Sequence, residues 1–335
     1  MTTAYLDAAR ELAGDLAMEM ASDVQACEAV MAERLGSDVE TVENIAEHVF
    51  GAGGKRLRPL FVSLAARATG LPFSRARVAA IGACMEMIHT ATLIHDDVID
   101  HAATRRGRPT ASMLFGSTAS ILTGDVLLAK AMQVLAEDGD LRIIRIVSKA
   151  VAEMAEGEVL EVQSRGDFDL SEEKHVEILR RKTAVLIACC CEAGALVAGA
   201  DGRVASALAG YGEAIGIGYQ IADDLLDFQS LPEVSGKPRA TDFNEGCATL
   251  PLIYLRGRLA VDEAAYVRSK FGNGVTDSDL ETIAGWMLDR EAFASAKSRA
   301  EAYSDTAKEA LNDLPHNAAT QLLANLGQIL VCRDS

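Results

Sequence analysis

Two short acidic segments are the residues in this sequence best suited to chemistry. Three aspartates fall within five positions in DDVID, residues 96–100, and the same spacing returns in DDLLD, residues 223–227. In a helix, side chains at positions i and i+4 share one face, with Cβ atoms about 5–6 Å apart. Like charges at that spacing destabilise the helix unless a cation neutralises them. Mg²⁺ is the natural counterion, because it takes oxygen ligands from one or two carboxylates and completes its shell with water and phosphate oxygens.

Each acidic cluster could instead be a solvated helix end, which is common for one such pattern alone. Two copies are harder to explain in that way, because each follows an apolar stretch, GACMEMIHTATLIH before the first and GEAIGIGYQIA before the second. Exposed acidic residues usually lie on polar helices. We therefore predict that two facing helices hold Mg²⁺ and a diphosphate between them. The candidate metal ligands are Asp96, Asp97, Asp100, Asp223, Asp224 and Asp227.

Basic side chains around the first cluster indicate the same phosphate-bearing ligand. Lys55, Arg56 and Arg58 follow a glycine-rich turn, which lets the backbone approach a ligand closely. Arg105 and Arg106 follow the first acidic cluster. Arginine binds phosphate oxygens in a bidentate fork, so we expect these residues to hold an anion.

Four further polar residues are weaker candidates. His89 lies seven positions before Asp96, two helical turns along the same face. A lone histidine is usually a packed core residue, but this alignment favours a ligand role. Thr183 and Gln220 carry little signal by themselves, and Lys182 alone would be interpreted as a surface lysine.

The elements that must position these side chains are helices. Apolar residues make up 49% of the 335 and aromatic residues 5%, and no proline occurs between Pro109 and Pro232. Periodicity predicts helices over residues 4–34, 38–50, 60–70, 75–101, 117–137, 141–165, 171–200 and 203–230, with more after 251. The turn at 51–59 and the loop at 231–246 are the clearest breaks, and no strand is predicted. We expect an all-α fold, a single domain over residues 1–335, built as a bundle of long helices around a central cavity.

Charge and cysteine usage narrow the class of protein. The net charge of −17 argues against a general binder of nucleic acid or anionic membrane. The seven cysteines show no CxxC spacing, which predicts reduced, mostly buried thiols and a cytoplasmic location. The acidic, amphipathic N-terminus predicts no secretory signal. The most apolar run, residues 184–200, is interrupted by Glu192 and is predicted to be a buried core helix, so we expect no transmembrane segment.

Seven short motifs occur in one order between about residue 45 and residue 260. They are GGKRLRP (53–59), HDDVIDHAATRRGRPT (95–110), GD (124–125), GEVLE (157–161), RKTA (181–184), YQIADDLLDF (219–228) and GK (236–237). One DDxxD motif is weak support, but the ordered set resembles the trans-isoprenyl diphosphate synthase family, the head-to-tail prenyltransferases. The resemblance is greatest to its long-chain octaprenyl and decaprenyl diphosphate synthases. It implies the isoprenoid synthase type I fold, with both aspartate-rich motifs facing the central cavity.

The resemblance also implies a role for each candidate residue. The six aspartates would bind Mg²⁺, three ions per site when substrate is present. Isopentenyl diphosphate would be held by Lys55, Arg58, His89 and Arg106. The allylic diphosphate would be held by Arg105, Lys182 and Lys237, with Thr183 and Gln220 beside the developing carbocation. The catalytic set would be Asp96, Asp97, Asp100, Lys182, Thr183, Gln220 and Asp223.

The reaction that the resemblance implies is condensation of isopentenyl diphosphate with an allylic prenyl diphosphate. Product length would depend on the apolar tunnel below Asp96. Ala91 and Thr92, one turn away, are small and would let the growing tail pass toward Ile88. We therefore expect a long all-trans product, C40–C50, of the kind found as the side chain of respiratory quinones.

The loop after the second cluster departs from the family pattern. The family usually reads GKxxGxDxxEGKxTLP, and this chain reads GKPRATDFNEGCATLP. Ala240 replaces a glycine, and Cys247 replaces a lysine that normally adds positive charge near the allylic diphosphate or closes the loop over it. Arg239 is a candidate to compensate. Without compensation, we expect reduced turnover.

Three other interpretations stay open. The first is a shorter product, as in farnesyl or geranylgeranyl diphosphate synthases. The second is a head-to-head synthase or a class I terpene cyclase, against which Lys55, Arg58 and His89 argue, because a cyclase needs no second diphosphate. The third is a non-catalytic regulatory subunit of a heteromeric synthase. Such subunits tend to lose aspartates, and both motifs are intact here. By the resemblance we expect a homodimer.

Overall fold

The computed structural model describes residues 14–229 and 239–331, and these residues are almost entirely helical. Lys237 and the predicted helical residues 4–13 lie outside the described residues. The helices of the first half are α1 (Asp15–Leu35), α2 (Glu40–Gly51), α3 (Leu57–Ala68), α4 (Arg75–Ile99), α5 (Ala111–Phe115), α6 (Ser117–Asp138) and α7 (Leu141–Ser164). The predicted all-α fold is confirmed, and most predicted boundaries lie within a few residues of the observed ones.

The helices of the second half include several short ones. They are α8 (Glu172–Leu179), α9 (Val185–Val197), α10 (Gly202–Gln229), α11 (Thr241–Asn244), α12 (Leu250–Arg256), α13 (Val261–Lys270), α14 (Asp277–Asp289), α15 (Ala292–Ala310) and α16 (Ala318–Val331). The single helix predicted over residues 171–200 is interrupted by a five-residue π-helix, Arg180–Ala184, between α8 and α9. Periodicity could not show this break, because a one-turn widening changes the apolar pattern very little.

One small hairpin is an exception to the prediction that the chain has no strand. Strand β1 (Thr104–Arg105) pairs with β2 (Arg108–Pro109) in antiparallel register. The two residues between them, Arg106 and Gly107, have φ of 53° and 73°. Positive φ at both central positions is what a two-residue type I′ hairpin requires. The strands are too short to produce an alternating pattern in the sequence.

Packing divides the chain into two compact units. The first consists of Met1–Val151, Cys189–Ala209 and Asp313–Leu323. The second consists of Ala152–Ala188, Gly210–Asn312 and Ala324–Ser335. The prediction of a single domain stays a prediction.

Helix α4 is the core of the first unit. It packs against α1, α3 and α6, and it is apolar on every side over most of its length. A helix that is hydrophobic all round must be buried on all sides, and the residues from Ile81 to Ile88 are all buried. Its start is fixed by Ser74, whose hydroxyl accepts from the backbone N–H of Arg77 at 3.3 Å. The acidic cluster therefore lies at the end of a rigidly packed element.

An aromatic cluster organises the core of the second unit. The rings of Phe228 and Phe243 have centroids 6.0 Å apart, and Phe243 and Phe271 lie 5.4 Å apart, both edge to face. The ring centroids of Phe168 and Phe271 lie 5.6 Å apart. Phe228 immediately follows the second acidic cluster and Phe243 lies in α11, so this cluster fixes the loop after α10 to the core.

Cysteine burial agrees with the sequence interpretation. The five cysteines at positions 27, 84, 189, 190 and 191 are free and buried, and Cys247 is free and partly buried. Burial raises the pKa of the Cys191 thiol. The apolar run at 184–200 forms the buried helix α9, as predicted.

By length and composition alone, α4 and α6 are apolar enough to cross a membrane. A buried core helix passes the same test, and the apolar window of α4 is 72% buried.

Candidate active site

The first acidic cluster lies at the C-terminal end of α4. Asp96 is in the last helical turn and is partly exposed, and Asp100 is the C-cap, whose backbone N–H donates to the carbonyl of Asp96 at 2.8 Å. Asp97 differs from both, because it is buried and accepts a hydrogen bond from Nε of Arg105 at 2.6 Å. The structure therefore joins two residues that the sequence assigned to different ligands, Asp97 to metal and Arg105 to the allylic diphosphate.

No cluster of three or more His, Cys, Asp or Glu side chains within residues 14–229 and 239–331 is arranged as a metal site. Mg²⁺ is usually bound by one or two carboxylates together with substrate phosphates and water, rather than by a cage of protein ligands. The paired hard oxygen donors of Asp96 and Asp100 fit such a partial shell. The assignment of the six aspartates to Mg²⁺ stays a prediction.

The basic residues of the first unit meet around His89. Arg106, in the hairpin turn, donates to the backbone carbonyl of Gly53, so the glycine-rich turn and the hairpin are in contact. Partial burial and the positive charges of Arg58 and Arg106 hold the pKa of His89 well below its usual range. Burial also lowers the pKa of Arg106, and the charge of Arg105 acts in the same direction although Glu86 opposes it. This concentration of positive charge is suited to bind a diphosphate.

Arg56 has a different role from its neighbours in the glycine-rich turn. Its guanidinium lies 3.0 Å from a carboxylate oxygen of Glu28 and 3.1 Å from one of Glu86, and it stacks over Phe50. Its φ of 49° places it in the left-handed region, which is unfavourable for a residue with a side chain. We infer that these contacts hold the strained turn that carries Lys55 and Arg58.

The π-helix positions Lys182 and Thr183 in the second unit. Lys182 forms an ion pair with Glu161 and another with Glu158 at 3.2 Å, both on α7. This close approach requires Gly157, because a Cβ there would lie 2.6 Å from Cβ of Arg181. The RKTA motif, which forms the π-helix, therefore packs directly against the GEVLE motif of α7. Because π-bulges occur often at functional sites, the local geometry supports a functional role for RKTA.

A chain of hydrogen bonds links Thr183 to the second acidic cluster. Thr183 donates to Oε1 of Gln220 at 3.2 Å, and Nε2 of Gln220 donates to Oδ1 of Asp224 at 3.3 Å. Nε2 of His175 lies 3.1 Å from the other oxygen, Oδ2, of buried Asp224. Gly216, one turn before Gln220, allows this approach, since a Cβ there would lie 2.5 Å from Cα of Ala184. Thr183, Gln220 and Asp224 are therefore neighbours in the structure.

Asp227 anchors the loop that follows α10. Its Oδ1 accepts from the backbone N–H of Thr241 and its Oδ2 from that of Asp242, both at 3.1 Å, and its carbonyl accepts from Ala240 at 2.8 Å. Ala240 has a φ of 55°, in the region that favours glycine, which accounts for the glycine usual at this position in the family. Partial burial and the charges of Asp227 and Asp224 raise the pKa of Asp242 well above its usual range.

The loop and the hydrogen-bonded chain share a cavity of about 150 Å³ that lies entirely in the second unit. Its polar lining residues are Glu161, Ser164, Arg165, His175, Lys182, Gln220, Asp224, Asp242, Cys247 and Thr249. Burial, with the charges of Glu161 and Asp242, raises the pKa of the Cys247 thiol to about 12. Cys247 therefore faces the cavity as a neutral group, and the positive charge that a lysine would bring is missing.

The three chain-length candidates lie together on α4. Ala91 is fully buried and packs in a cluster with Ile45, Ile94, Ala111 and Leu127. Ile88 is also fully buried. Thr92 is partly exposed, and its hydroxyl donates to the carbonyl of His89 at 2.8 Å. Their control of product length stays a prediction.

Sequence reasoning missed several residues of this site. His175 gave no signal, because a lone histidine seven residues before Lys182 has no motif to mark it. Asp242 and Thr249 belong to the GKPRATDFNEGCATLP segment, in which they agree with the family pattern and so did not stand out. Arg165 became visible only when the fold placed the end of α7 on the cavity wall.

Comparison with known proteins now identifies the family. Residues 39–283 match the family profile described as Polyprenyl synthetase. The chain belongs to this family, whose fold and motif order agree with the site described above. It is 36% identical over 314 residues to the octaprenyl diphosphate synthase of Escherichia coli, covering 94% of this chain and 97% of that protein. It is 33% identical to heptaprenyl diphosphate synthase component 2 of Geobacillus stearothermophilus, covering 94% and 97%.

Solved structures give the same result. A decaprenyl diphosphate synthase from Rhodobacter capsulatus superposes with a TM-score of 0.90 at 35% identity, covering 96% of this chain and 99% of that one. A polyprenyl synthase from Caulobacter crescentus, solved with calcium and isoprenyl diphosphate, also has a TM-score of 0.90 at 36% identity, covering 98% of each chain. The isoprenoid synthase fold is therefore confirmed.

Proposed function

We propose that this chain is a trans-polyprenyl diphosphate synthase that condenses isopentenyl diphosphate with an allylic prenyl diphosphate and makes a long product, C40–C50. The observation that carries the proposal is the charge distribution around His89. Burial lowers the pKa of His89, and the positive charges of Arg58, Arg106 and Arg105 lower it further. Such crowding of positive charge costs free energy in the free protein and is relieved when a dianion binds.

The basic cluster of the first unit fits isopentenyl diphosphate. Lys55 and Arg58 lie on either side of the anchored Arg56, and Arg106 contacts the same turn. A neutral His89 donates a hydrogen bond without adding a further cation to the cluster. A terpene cyclase, which has one diphosphate only, would not need this group of residues.

The cavity of the second unit fits the allylic diphosphate. Lys182 and Arg165 supply positive charge, and Gln220 supplies an amide donor held by Asp224. Lys182 is now paired with Glu158 and Glu161, so we expect its ammonium group to divide its interactions between these carboxylates and the substrate. Lys237 would join this group and Arg105 would contact the same diphosphate.

We assign all six aspartates of the two clusters, Asp96, Asp97, Asp100, Asp223, Asp224 and Asp227, to hold Mg²⁺. Mg²⁺, when bound, neutralises the diphosphate and stabilises its departure as a Lewis acid. The pairing of Asp97 with Arg105 and of Asp224 with His175 keeps these two carboxylates oriented at the helix ends. Asp227 holds the loop through its two backbone contacts.

Electron flow in the proposed reaction uses few protein groups. The allylic C–O bond breaks, the electron pair leaves with the diphosphate, and Lys182 and Gln220 stabilise the charge that develops on it. Thr183 lies beside the carbocation. The double bond of isopentenyl diphosphate forms the new C–C bond, and a proton then leaves, with the departed diphosphate as base. The products are one inorganic diphosphate and an allylic diphosphate five carbons longer.

Kinetics of two variants test the assignment of the two substrates. Arg58→Ala should raise the KM for isopentenyl diphosphate about tenfold or more, the cost of one hydrogen bond to a charged group. Lys182→Ala should instead raise the KM for the allylic diphosphate. Lys174→Ala, an exposed lysine of α8, is the matched control and should change neither. A similar loss for both substrates in both variants would contradict the division.

We further propose that the enzyme acts as a cytoplasmic homodimer. The exposed face of α6 carries Ile121, Leu122 and Met132, and α5 exposes Met113 and Leu114. Exposed apolar side chains concentrated on two neighbouring helices often mark a protein interface. Leu122→Asp should yield monomers in sedimentation velocity, and Leu288→Asp, at an exposed leucine of the second unit, should not.

The second candidate function is that of the catalytic component of a heteromeric synthase, which would act together with a second protein. One relative is described as component 2 of a heptaprenyl diphosphate synthase. Both acidic motifs are present here, so the chain would be the catalytic component of such an assembly. Turnover by the purified chain alone would exclude the need for a partner, and turnover only after addition of a second protein would favour it.

A further inference from the structure

Thr249 carries a polar group that the known roles of this site leave unexplained. The residue is 4% exposed, and its hydroxyl oxygen has no hydrogen-bond partner among residues 14–229 and 239–331. It is the N-cap residue of α12, but its side chain does not cap that helix. Buried hydroxyl groups are nearly always bonded, because an unsatisfied one has lost its water without replacement.

The surroundings of Thr249 indicate what the missing partner is. Thr249 lines the same cavity as Lys182, Arg165 and Gln220, whose side chains carry N–H groups that can donate to an anion. Cys247, two residues earlier, also lines the cavity but is a neutral thiol. Thr249 therefore brings a neutral hydroxyl donor to the same part of the cavity lining in which Cys247 supplies no charge.

We propose that the hydroxyl of Thr249 donates a hydrogen bond to an oxygen of the allylic diphosphate, and so helps to fix that substrate in a cavity that lacks the usual lysine. The proposal rests on the function proposed above and adds a substrate-binding residue to it. The free protein would keep an unsatisfied hydroxyl, and binding would satisfy it. Stability of the free protein and affinity for the ligand should then change in opposite directions when the hydroxyl is removed.

Thr249→Val and Thr249→Ser are the test variants, since valine removes the hydroxyl at nearly constant volume and serine keeps it. Ser304→Ala is the matched control, because Ser304 is also buried in the second unit with an unpartnered hydroxyl but does not line the cavity. Each protein would be melted alone, with Mg²⁺ alone, with inorganic diphosphate alone and with both. The KM and kcat for farnesyl diphosphate would be measured in parallel.

We expect Thr249→Val to melt at or above the temperature of the wild type without ligand, and to lose most of the rise that diphosphate produces. Its KM for the allylic substrate should increase about tenfold, with a smaller change in kcat. Thr249→Ser should keep the diphosphate-induced rise in melting temperature and the KM for the allylic substrate close to those of the wild type. Ser304→Ala should also melt at or above the wild type but keep the full diphosphate response.

Three results would overturn the proposal. An unchanged diphosphate response and KM in Thr249→Val would mean that the hydroxyl bonds only to water. Loss of the response to Mg²⁺ alone would place the contact on a metal-bound water instead. No response of the wild type to diphosphate would remove both this inference and the proposed function, whereas binding without turnover would contradict the proposed function alone.

Discussion

Arg105 donates through Nε to Oδ1 of Asp97 at a distance of 2.6 Å. The second cluster repeats this relationship with different residues, since buried Asp224 is held by His175 at 3.1 Å. In both clusters the second aspartate is buried and paired with a basic side chain, while the first aspartate keeps a partly exposed surface. The two aspartates of each DD pair should therefore differ in function.

Variants of Asp96 and Asp97 should separate these two roles. Asp96→Ala should reduce Mg²⁺-dependent turnover about a hundredfold or more, because a ligand of the Mg²⁺ that stabilises the leaving diphosphate is lost. The stability should change little, because Asp96 is partly exposed. Asp97→Asn should lower the free energy of unfolding by about 1–3 kcal/mol, because the buried bond to Arg105 is weakened. Turnover assays and urea unfolding would measure both. Near-normal activity of Asp96→Ala would contradict the role of Asp96 as a metal ligand. Asp262→Ala, at an exposed aspartate, is the control for both assays.

Larger side chains on α4 should shorten the product. Thr92→Phe should give shorter chains at nearly unchanged stability, because Thr92 is partly exposed. Ala91→Phe should also shorten the product, but its side chain enters a filled cluster and should cost about 1–3 kcal/mol of stability. Mass spectrometry of the dephosphorylated products, together with melting temperatures, would check both. Unchanged chain lengths in both variants would mean that the tail follows another route.

Glu177 should make the stability of the π-helix region depend on pH. Hydrogen bonds from Arg180 and then Arg181 lower the pKa of Glu177 from 4.5 to about 2. Because the folded-state pKa is the lower one, this stabilisation is complete above about 4.5 and is lost as the pH falls toward about 2. Glu177→Gln should therefore unfold at lower urea than the wild type at pH 7, and the difference should shrink below about pH 4.5. A difference in urea midpoint that does not change with pH would contradict the role of Glu177. An equal effect of Glu281→Gln, at an exposed glutamate of α14, would also contradict it.

Restoring a lysine at position 247 should raise activity. The Cys247 thiol is neutral, and burial together with the neighbouring negative groups raises the pKa of Asp242 beside it. A lysine would neutralise these acids and add a cation to the cavity. We expect Cys247→Lys to lower the KM for farnesyl diphosphate several-fold, with Cys247→Met as the neutral control. Lower activity in Cys247→Lys than in Cys247→Met would show that the cavity is adapted to an uncharged group.

The sequence predicted the positions of the two acidic clusters well, because each follows a long run of apolar and small residues that forms a helix. It also predicted that Thr183 and Gln220 lie together, but only through the resemblance to a family. The π-helix at 180–184 could not be predicted, since its pattern of apolar residues is that of an ordinary helix. The pairing of His175 with Asp224 depends on how α8 and α10 pack, and nothing in the local sequence encodes it. The left-handed conformation of Ala240, which accounts for the glycine usual at this position in the family, is visible only in the backbone.

The most direct test of the central claim is the length of the product. Purified protein would be incubated with Mg²⁺, farnesyl diphosphate and excess isopentenyl diphosphate, and the dephosphorylated products would be sized by mass spectrometry. We expect a ladder that ends at C40–C50. An end point at C15–C20 would keep the reaction but contradict the long-chain assignment. No product from any allylic primer would contradict the proposed function of the chain by itself.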